Sequence, residues 1–289
     1  MYVFGAILIG FASALLSGMF GIGGAAVSTP SLRLILKTPP GIALGTTLPV
    51  TIPTAAAGAF TYWRRGFVDG KVALLCCCTG VVGATGGAIA TRWLNLHYLM
   101  IATGLMVLYV SGMTIRRGTT GRGVPAGPDE ASPLMEAAGE EARECEVAPP
   151  VKTTPDEAAE CYVVCVPVAL AIGFVAGAFS GLLGVGGGVL MIPGFLYLLH
   201  MPLRRSIATS LAVIVVIAIP GTIVHSFLGH ISWSLVLYMV LGALPGAYLG
   251  ARLNLRTAER VLYILFGSML GAFGILFIVN EIIGIVGGK

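Results

Sequence analysis

Charged positions vanish from this chain for long stretches and return in short clusters. Positions 207–227 and 235–250 hold no Asp, Glu, Lys or Arg. The apolar residues in these runs are continuous and do not alternate. A barrel strand of ~10 alternating residues is therefore excluded, while a membrane-spanning helix of ~20 apolar residues fits. In lipid the backbone must satisfy its own hydrogen bonds, so helices remain as the only reading. The same order of elements is predicted twice. A long apolar segment interrupted by glycines comes first (3–37 and 162–200). Three plainer helices follow it, at 43–64, 70–92 and 97–116, then at 206–228, 233–253 and 258–282.

The two series coincide when the sequence is shifted by 163 residues. "FGIGGAAVSTP" (20–30) falls on "LGVGGGVLMIP" (183–193). Ser17, Gly18, Gly21, Gly23, Gly24 and Pro30 meet Ser180, Gly181, Gly184, Gly186, Gly187 and Pro193. Ala25 meets Gly188, Thr46 meets Thr209, and Thr47 meets Ser210. The chain divides into two homologous membrane halves, 1–117 and 161–289. Between them lies a polar linker, 118–160, rich in Pro, Gly, Glu and Ala and expected to be mobile.

Basic residues choose between two arrangements. If each broken segment crosses the membrane once, the halves point the same way, and lysines and arginines split 8 against 9 across the two faces. If each enters and leaves by one face, the second half is inverted and the split is 13 against 4. Omitting Arg143 and Lys152 of the linker still leaves 11 against 4. Only the second arrangement obeys the positive-inside rule. The expected fold is an all-α polytopic membrane protein of two inverted repeats, each a glycine-broken re-entrant hairpin plus three transmembrane helices. Both termini lie outside the cell and the linker lies in the cytoplasm.

Composition agrees with a bilayer as solvent. The chain is 56% hydrophobic and 10% charged, with mean hydropathy +0.93. Ten of its thirteen acidic residues fall within 129–160. The net charge of +4 sits mainly at helix ends, where topology accounts for it, and does not point to nucleic acid. The arginine pairs at 64–65, 116–117 and 204–205 read as topological anchors. The N-terminal segment lacks a positive flank and carries the first glycine break, so it does not read as a cleaved signal peptide. Cys76, Cys77 and Cys78 are adjacent on one helix. Cys161 and Cys165 stand one turn apart at the start of another. All read as buried or lipid-facing thiols, with no metal site. His225 reads as an interior histidine and takes the place of Tyr62 in the other half. His97, His200 and His230 read as loop or helix-end residues. No nucleophile, base and orienting group come together, so no enzyme and no cofactor are expected.

The glycine breaks carry the chemistry. They free backbone groups inside the membrane, which is tolerated only in protein or against a wet cavity. The second leg of each hairpin starts near Ala25 and Gly188, and a helix N-terminus presents unpaired N–H groups and partial positive charge. Two such ends facing one midplane cavity suit a small anion at a repeat interface. The hydroxyls of Ser17, Ser180, Thr46, Thr47, Thr209 and Ser210 read either as further donors to that anion or as helix–helix packing. Arg33 and Arg205, beyond the cavity mouths, are placed to attract it.

The repeated "GxxSGxxGxGGx…P" pattern, as "GFASALLSGMFGIGGAAVSTP" and "GFVAGAFSGLLGVGGGVLMIP", with "GTTL" and "ATSL" after it, resembles the TauE/SafE sulfite exporter family, also described as toluene-sulfonate uptake permeases. The resemblance covers the chain apart from the linker. It implies a secondary transporter in the cytoplasmic membrane for a sulfur-containing anion such as sulfite or an organosulfonate; no buried carboxylate for a coupling ion stands out, and proton coupling is taken only as the default. It carries over Ser17, Gly18, Gly21, Gly23, Gly24 and Pro30, with their second-half counterparts. Ala25 opposite Gly188 departs from equivalence, so the two half-sites need not match. An anion channel of the same fold, or a membrane receptor or scaffold with the linker as output, are the alternatives. The anion, the direction of transport and the oligomeric state are not legible.

Overall fold

The computed structural model describes residues 2–36, 38–90, 145–147, 163–183 and 186–286, with the helical residues 105, 108–109, 111–112, 114–116 and 119. The helices are α1 (Tyr2–Phe20), α2 (Ala25–Ile35), α3 (Pro40–Trp63), α4 (Gly70–Ala90), α5 (Val166–Leu183), α6 (Gly188–Tyr197), α7 (Leu203–Phe227), α8 (Trp233–Arg256) and α9 (Glu259–Val286). Two short strands, β1 (Cys145–Val147) and β2 (Val163–Cys165), pair antiparallel. Five helices, α1, α3, α4, α7 and α8, are long and apolar enough to cross a membrane. The rest of the linker and most of the 97–116 helix lie outside the described residues.

The element ends follow from local chemistry. α3 opens with Pro at its first position and α7 with Pro202 as its N-cap, where a missing N–H is harmless. Each ends on a glycine in the left-handed region, Gly66 (φ +75°) and Gly229 (φ +69°). The next amides, of Phe67 and His230, reach back to the carbonyls of Tyr62 and His225, the six-to-one closure of a Schellman cap. One expectation needs correction. Helix was expected from position 162, but 163–165 form β2 and α5 starts at Val166. The consecutive β-branched Val163 and Val164 favour an extended backbone, and Pro167 suits a helical first turn. Cys165 is disulfide-bonded, so it is not the free thiol expected there; Cys76, Cys77 and Cys78 are free.

Glycine rows set the helix pairing. A Cβ on Gly10 or Gly18 of α1 would strike the carbonyls of Met239 or Ala247 of α8, and Gly242, Gly246 and Gly250 would strike Ile7, Phe11 and Leu15. The partners rise together along both helices, so α1 and α8 run parallel with backbones in contact, as small residues permit in membranes. α4 and α5 pair likewise, Gly173 on Cys76, Gly177 on Gly80 and Gly181 on Ala84. α3 and α7 cross the other way. Gly58 faces Leu211 and Gly221 faces Leu48, a register that runs antiparallel.

The broken segments are hairpins. Gly24 lies against Ser13 and Gly5 against Leu36, so α2 returns along α1; Gly187 lies against Ala176 and Gly194 against Ile172, so α6 returns along α5. Large apolar residues face outward along the long helices, among them Phe4, Leu8, Leu74, Val82, Leu237 and Leu241. Water would penalise that surface and a bilayer solvates it.

Candidate functional site

The end of α1 shows how a helix can stop inside protein. Its last carbonyls have no helical partner, so donors must come from the turn and from other helices. Gly21 N–H donates to the Ser17 carbonyl at 2.7 Å. The Tyr62 hydroxyl of α3 donates to the Gly18 carbonyl at 2.9 Å. The buried Asn254 side-chain amide of α8 donates to the Met19 carbonyl. The Ser210 hydroxyl of α7 donates to the Gly21 carbonyl at 3.0 Å. Three other helices therefore close this end.

Gly21 (φ +69°) and Gly23 (φ +77°) then reverse the chain, and Gly24 caps α2. In the second hairpin Gly186 (φ +87°) and Gly187 (φ +72°) do the same, with Gly187 as the cap of α6. Positive φ is cheap only without a Cβ. The two caps differ, since Gly24 has φ −43° in the right-handed region while Gly187 is left-handed.

The two reversals meet. The Cα of Gly23 lies 3.6 Å from where a Cβ on Gly186 would sit, and Thr51 lies 3.5 Å from the Cβ positions of both glycines. Ile214 lies 3.4 Å from the Cβ position of Gly23. Thr51 and Ile214 stand near mid-length of α3 and α7, so contact occurs half-way along the membrane-length helices. Gly188 presses on Gly21 and Ile22, leaving no room for a methyl. Among the described residues, the first-turn amides of Ala25 and Val189 have no hydrogen-bond acceptor. Ser17 Oγ is buried and likewise lacks a partner. Ser180 is buried with its Cβ 3.4 Å from the Cβ position of Gly187.

Other expected site residues sit elsewhere. Thr46 Oγ1 accepts the Ser232 N–H at 3.1 Å and Thr209 Oγ1 accepts the Asp69 N–H at 3.1 Å. Both threonines are fully buried, at opposite ends of the α3–α7 crossing, and their bonds tie each helix to the turn that follows the other. Thr47 Oγ1 lies 3.2 Å from Thr29 Oγ1 of α2. Gly181 packs on α4, and Pro193 is buried within α6. Pro30 falls within α2 and Arg33 likewise; their side chains, and Gly184, lie outside the described residues. Arg205 is buried at the start of α7.

Sequence reading missed Tyr62 and Asn254 as carbonyl donors. A lone Asn between Arg252 and Arg256 in the last turns of α8 was the available signal. It also separated His225 from His230, whose Nδ1 atoms lie 3.3 Å apart. The first is buried in the last turn of α7 and the second lies just beyond it. A cavity of about 580 Å³ beside α5 and α6 is lined, among the described residues, by carbon apart from tyrosines and backbone, with no charged group for an anion.

Known proteins point the same way. A 27% identical protein covers 82% of this chain and 83% of its own length, the probable membrane transporter protein YunE of Bacillus subtilis. The probable membrane transporter protein YdhB of the same organism is 26% identical over 82% of this chain and 84% of its own length. A probable membrane transporter protein of Xylella fastidiosa is 25% identical over 81% and 77%. No solved structure matches the chain. A family profile described as Sulfite exporter TauE/SafE matches residues 6–277. With membrane-length apolar helices and a match over nearly the whole chain, this multi-pass membrane protein belongs to the TauE/SafE sulfite exporter family.

Proposed function

We propose that the chain is a secondary transporter of a small sulfur-containing anion, sulfite or an organosulfonate, held where the two glycine reversals meet. The observation that carries this reading is the close approach of the two reversals, Gly188 against Gly21 and Gly186 near Gly23, at mid-length of α3 and α7. The unpaired amides of Ala25 and Val189 start the two return helices, and such ends favour an oxyanion without a buried arginine. Ser17 adds a buried hydroxyl lacking a partner among the described residues.

The halves 1–117 and 161–289 are read as inverted repeats. Supporting this, α3 and α7 occupy equivalent sequence positions and run antiparallel, and the Thr46–Ser232 and Thr209–Asp69 bonds correspond under the 163-residue shift. Gly188 packs against Gly21 and Ile22 with no room for a methyl, so binding requires the halves to part there. The unequal caps at Gly24 and Gly187 are the states such a motion would exchange between halves, and exchange of that kind is alternating access. The arginines that end α3 and α8 and start α7 are gathered at one end of the bundle; by the positive-inside rule that end is cytoplasmic, with the 118–160 linker. The disulfide at Cys165 opposes this, because bridges persist in oxidising compartments.

The test is thermal stabilisation of purified protein by sulfite, sulfate, thiosulfate and 4-toluenesulfonate, followed by flux in proteoliposomes. Saturable flux that responds to an imposed proton gradient supports a coupled transporter. Non-saturating flux indifferent to any gradient would make it a channel. No stabilisation and no flux with any of the four would remove the substrate class.

A further inference from the structure

Arg65, Arg252 and Arg256, with Leu255, line a cavity of about 240 Å³. Arg65 comes from the turn after α3 in one half, and the other two come from the last turns of α8 in the other. Arg252 and Arg256 are four residues apart and share a helix face. The Arg252 guanidinium sits 4.4 Å from the centre of the Tyr248 ring, a cation–π contact that holds its plane. Among the described residues no carboxylate pairs with any of the three. Guanidinium groups stay charged, so three positive charges share one small cavity with no counter-charge among the described residues.

Membrane topology explains why arginines lie at this end, and the negative end of the α8 dipole explains two of them. Neither explains why Arg65 is brought into the same cavity from another helix. Internal symmetry does not supply it either, since the positions 163 residues away are Leu228, Ile89 and Trp93. The cavity's depth is set by its helices. α3 and α8 are both membrane-length, and the cavity lies just beyond Trp63 and beside Arg256, where they end. Trp63 is 66% exposed, as aromatic residues at a membrane–water interface are. That is headgroup level.

We propose that this cavity binds the phosphate of an anionic phospholipid headgroup, clamping the end of α3 to the end of α8. The chemistry is a tetrahedral oxyanion held by planar, forked donors. A lipid source is favoured over a free ion because the site opens at headgroup depth and basic pockets there attract anionic lipid.

The experiment is native mass spectrometry and detergent melting of the delipidated full chain, titrated with phosphatidylglycerol, phosphatidylcholine or inorganic phosphate. Wild type is expected to bind phosphatidylglycerol at least tenfold more tightly than phosphatidylcholine and to melt higher with it. The combined Arg65→Gln, Arg252→Gln, Arg256→Gln variant is expected to lose that preference to within twofold. Arg64→Gln, whose side chain lies over Phe60, should keep it. If the triple variant does not fold, Arg65→Gln alone must weaken phosphatidylglycerol at least threefold. Equal binding of the two lipids, undiminished binding by the variants, or equal stabilisation by inorganic phosphate would each overturn the proposal.

Discussion

Gly188→Ala adds one methyl group where the two hairpins touch. The new Cβ would sit 2.8 Å from Ile214 Cδ1 and 2.8 Å from the Ile22 carbonyl carbon, and nearer still to the Gly21 carbonyl oxygen. Ordinary contact begins at 3.4 Å, so Ile214 and Ile22 must each give 0.6 Å (2.8 to 3.4 Å) and the Gly21 carbonyl more than that. The Ile214 side chain can turn aside, but the Gly21 backbone cannot do so cheaply, since Ser210 holds its carbonyl at 3.0 Å. Overpacking of this kind costs about 1–3 kcal/mol. Position 25, the equivalent in the first hairpin, already carries a methyl that is fully buried. Ala25→Gly therefore removes a group that fits, at about 0.5–1 kcal/mol for glycine in a helix. Melting in detergent, followed by fluorescence and size exclusion, should rank wild type above Ala25→Gly and Ala25→Gly above Gly188→Ala. Flux of the stabilising anion should fall in Gly188→Ala, with membrane insertion unchanged. If Gly188→Ala melts and transports as wild type does, the hairpins are not in contact as described and the reasoning fails.

Other predictions concern the groups around that contact. Tyr62→Phe strands the Gly18 carbonyl and should cost about 1–3 kcal/mol, the penalty for an unpaired buried group; an unchanged melting curve would mean that the bond is dispensable. Thr46→Val and Thr209→Val each remove one of two corresponding inter-helix bonds and should each cost about 1 kcal/mol, read as two similar melting shifts. Gly23→Val and Gly186→Val put a branched Cβ at φ +77° and +87° and should abolish flux in proteoliposomes while leaving insertion intact. Deleting 122–158 should preserve flux, and a cysteine in the linker should be labelled only from the cytoplasmic side; loss of flux on deletion would favour the scaffold reading, and labelling from outside would invert the topology. Cytoplasmic placement also requires Cys165 to be reduced in intact cells, which acid-quenched alkylation reads directly.

Much of the architecture was legible because a bilayer imposes simple rules. Charge-free runs located α3, α4, α7 and α8 to within a few residues, since only helices and closed barrels satisfy the backbone in lipid and these runs do not alternate. The glycine clusters located both hairpin reversals, since four of those glycines have a positive φ that other residues resist. The 163-residue offset is the basis on which the two halves are proposed to correspond. Side-chain partnerships were not legible. Tyr62 reaches a carbonyl 44 positions away and Asn254 one 235 positions away, and no local pattern encodes that closure. Thr46 and Thr209 read either as donors to a ligand or as packing, and each accepts a backbone N–H from a turn that sequence spacing could not bring near. The strand at 163–165 was hidden by the apolar character it shares with the helix after it.

The most direct measurement is a structure of the protein bound to 4-bromobenzenesulfonate, with the bromine located by anomalous scattering. The account predicts one bromine site near Gly23 and Gly186, with sulfonate oxygens within hydrogen-bond distance of the Ala25 and Val189 amides and the two reversals moved apart. A sulfonate found only at the arginine-rich end, with the two reversals still packed together, would contradict it.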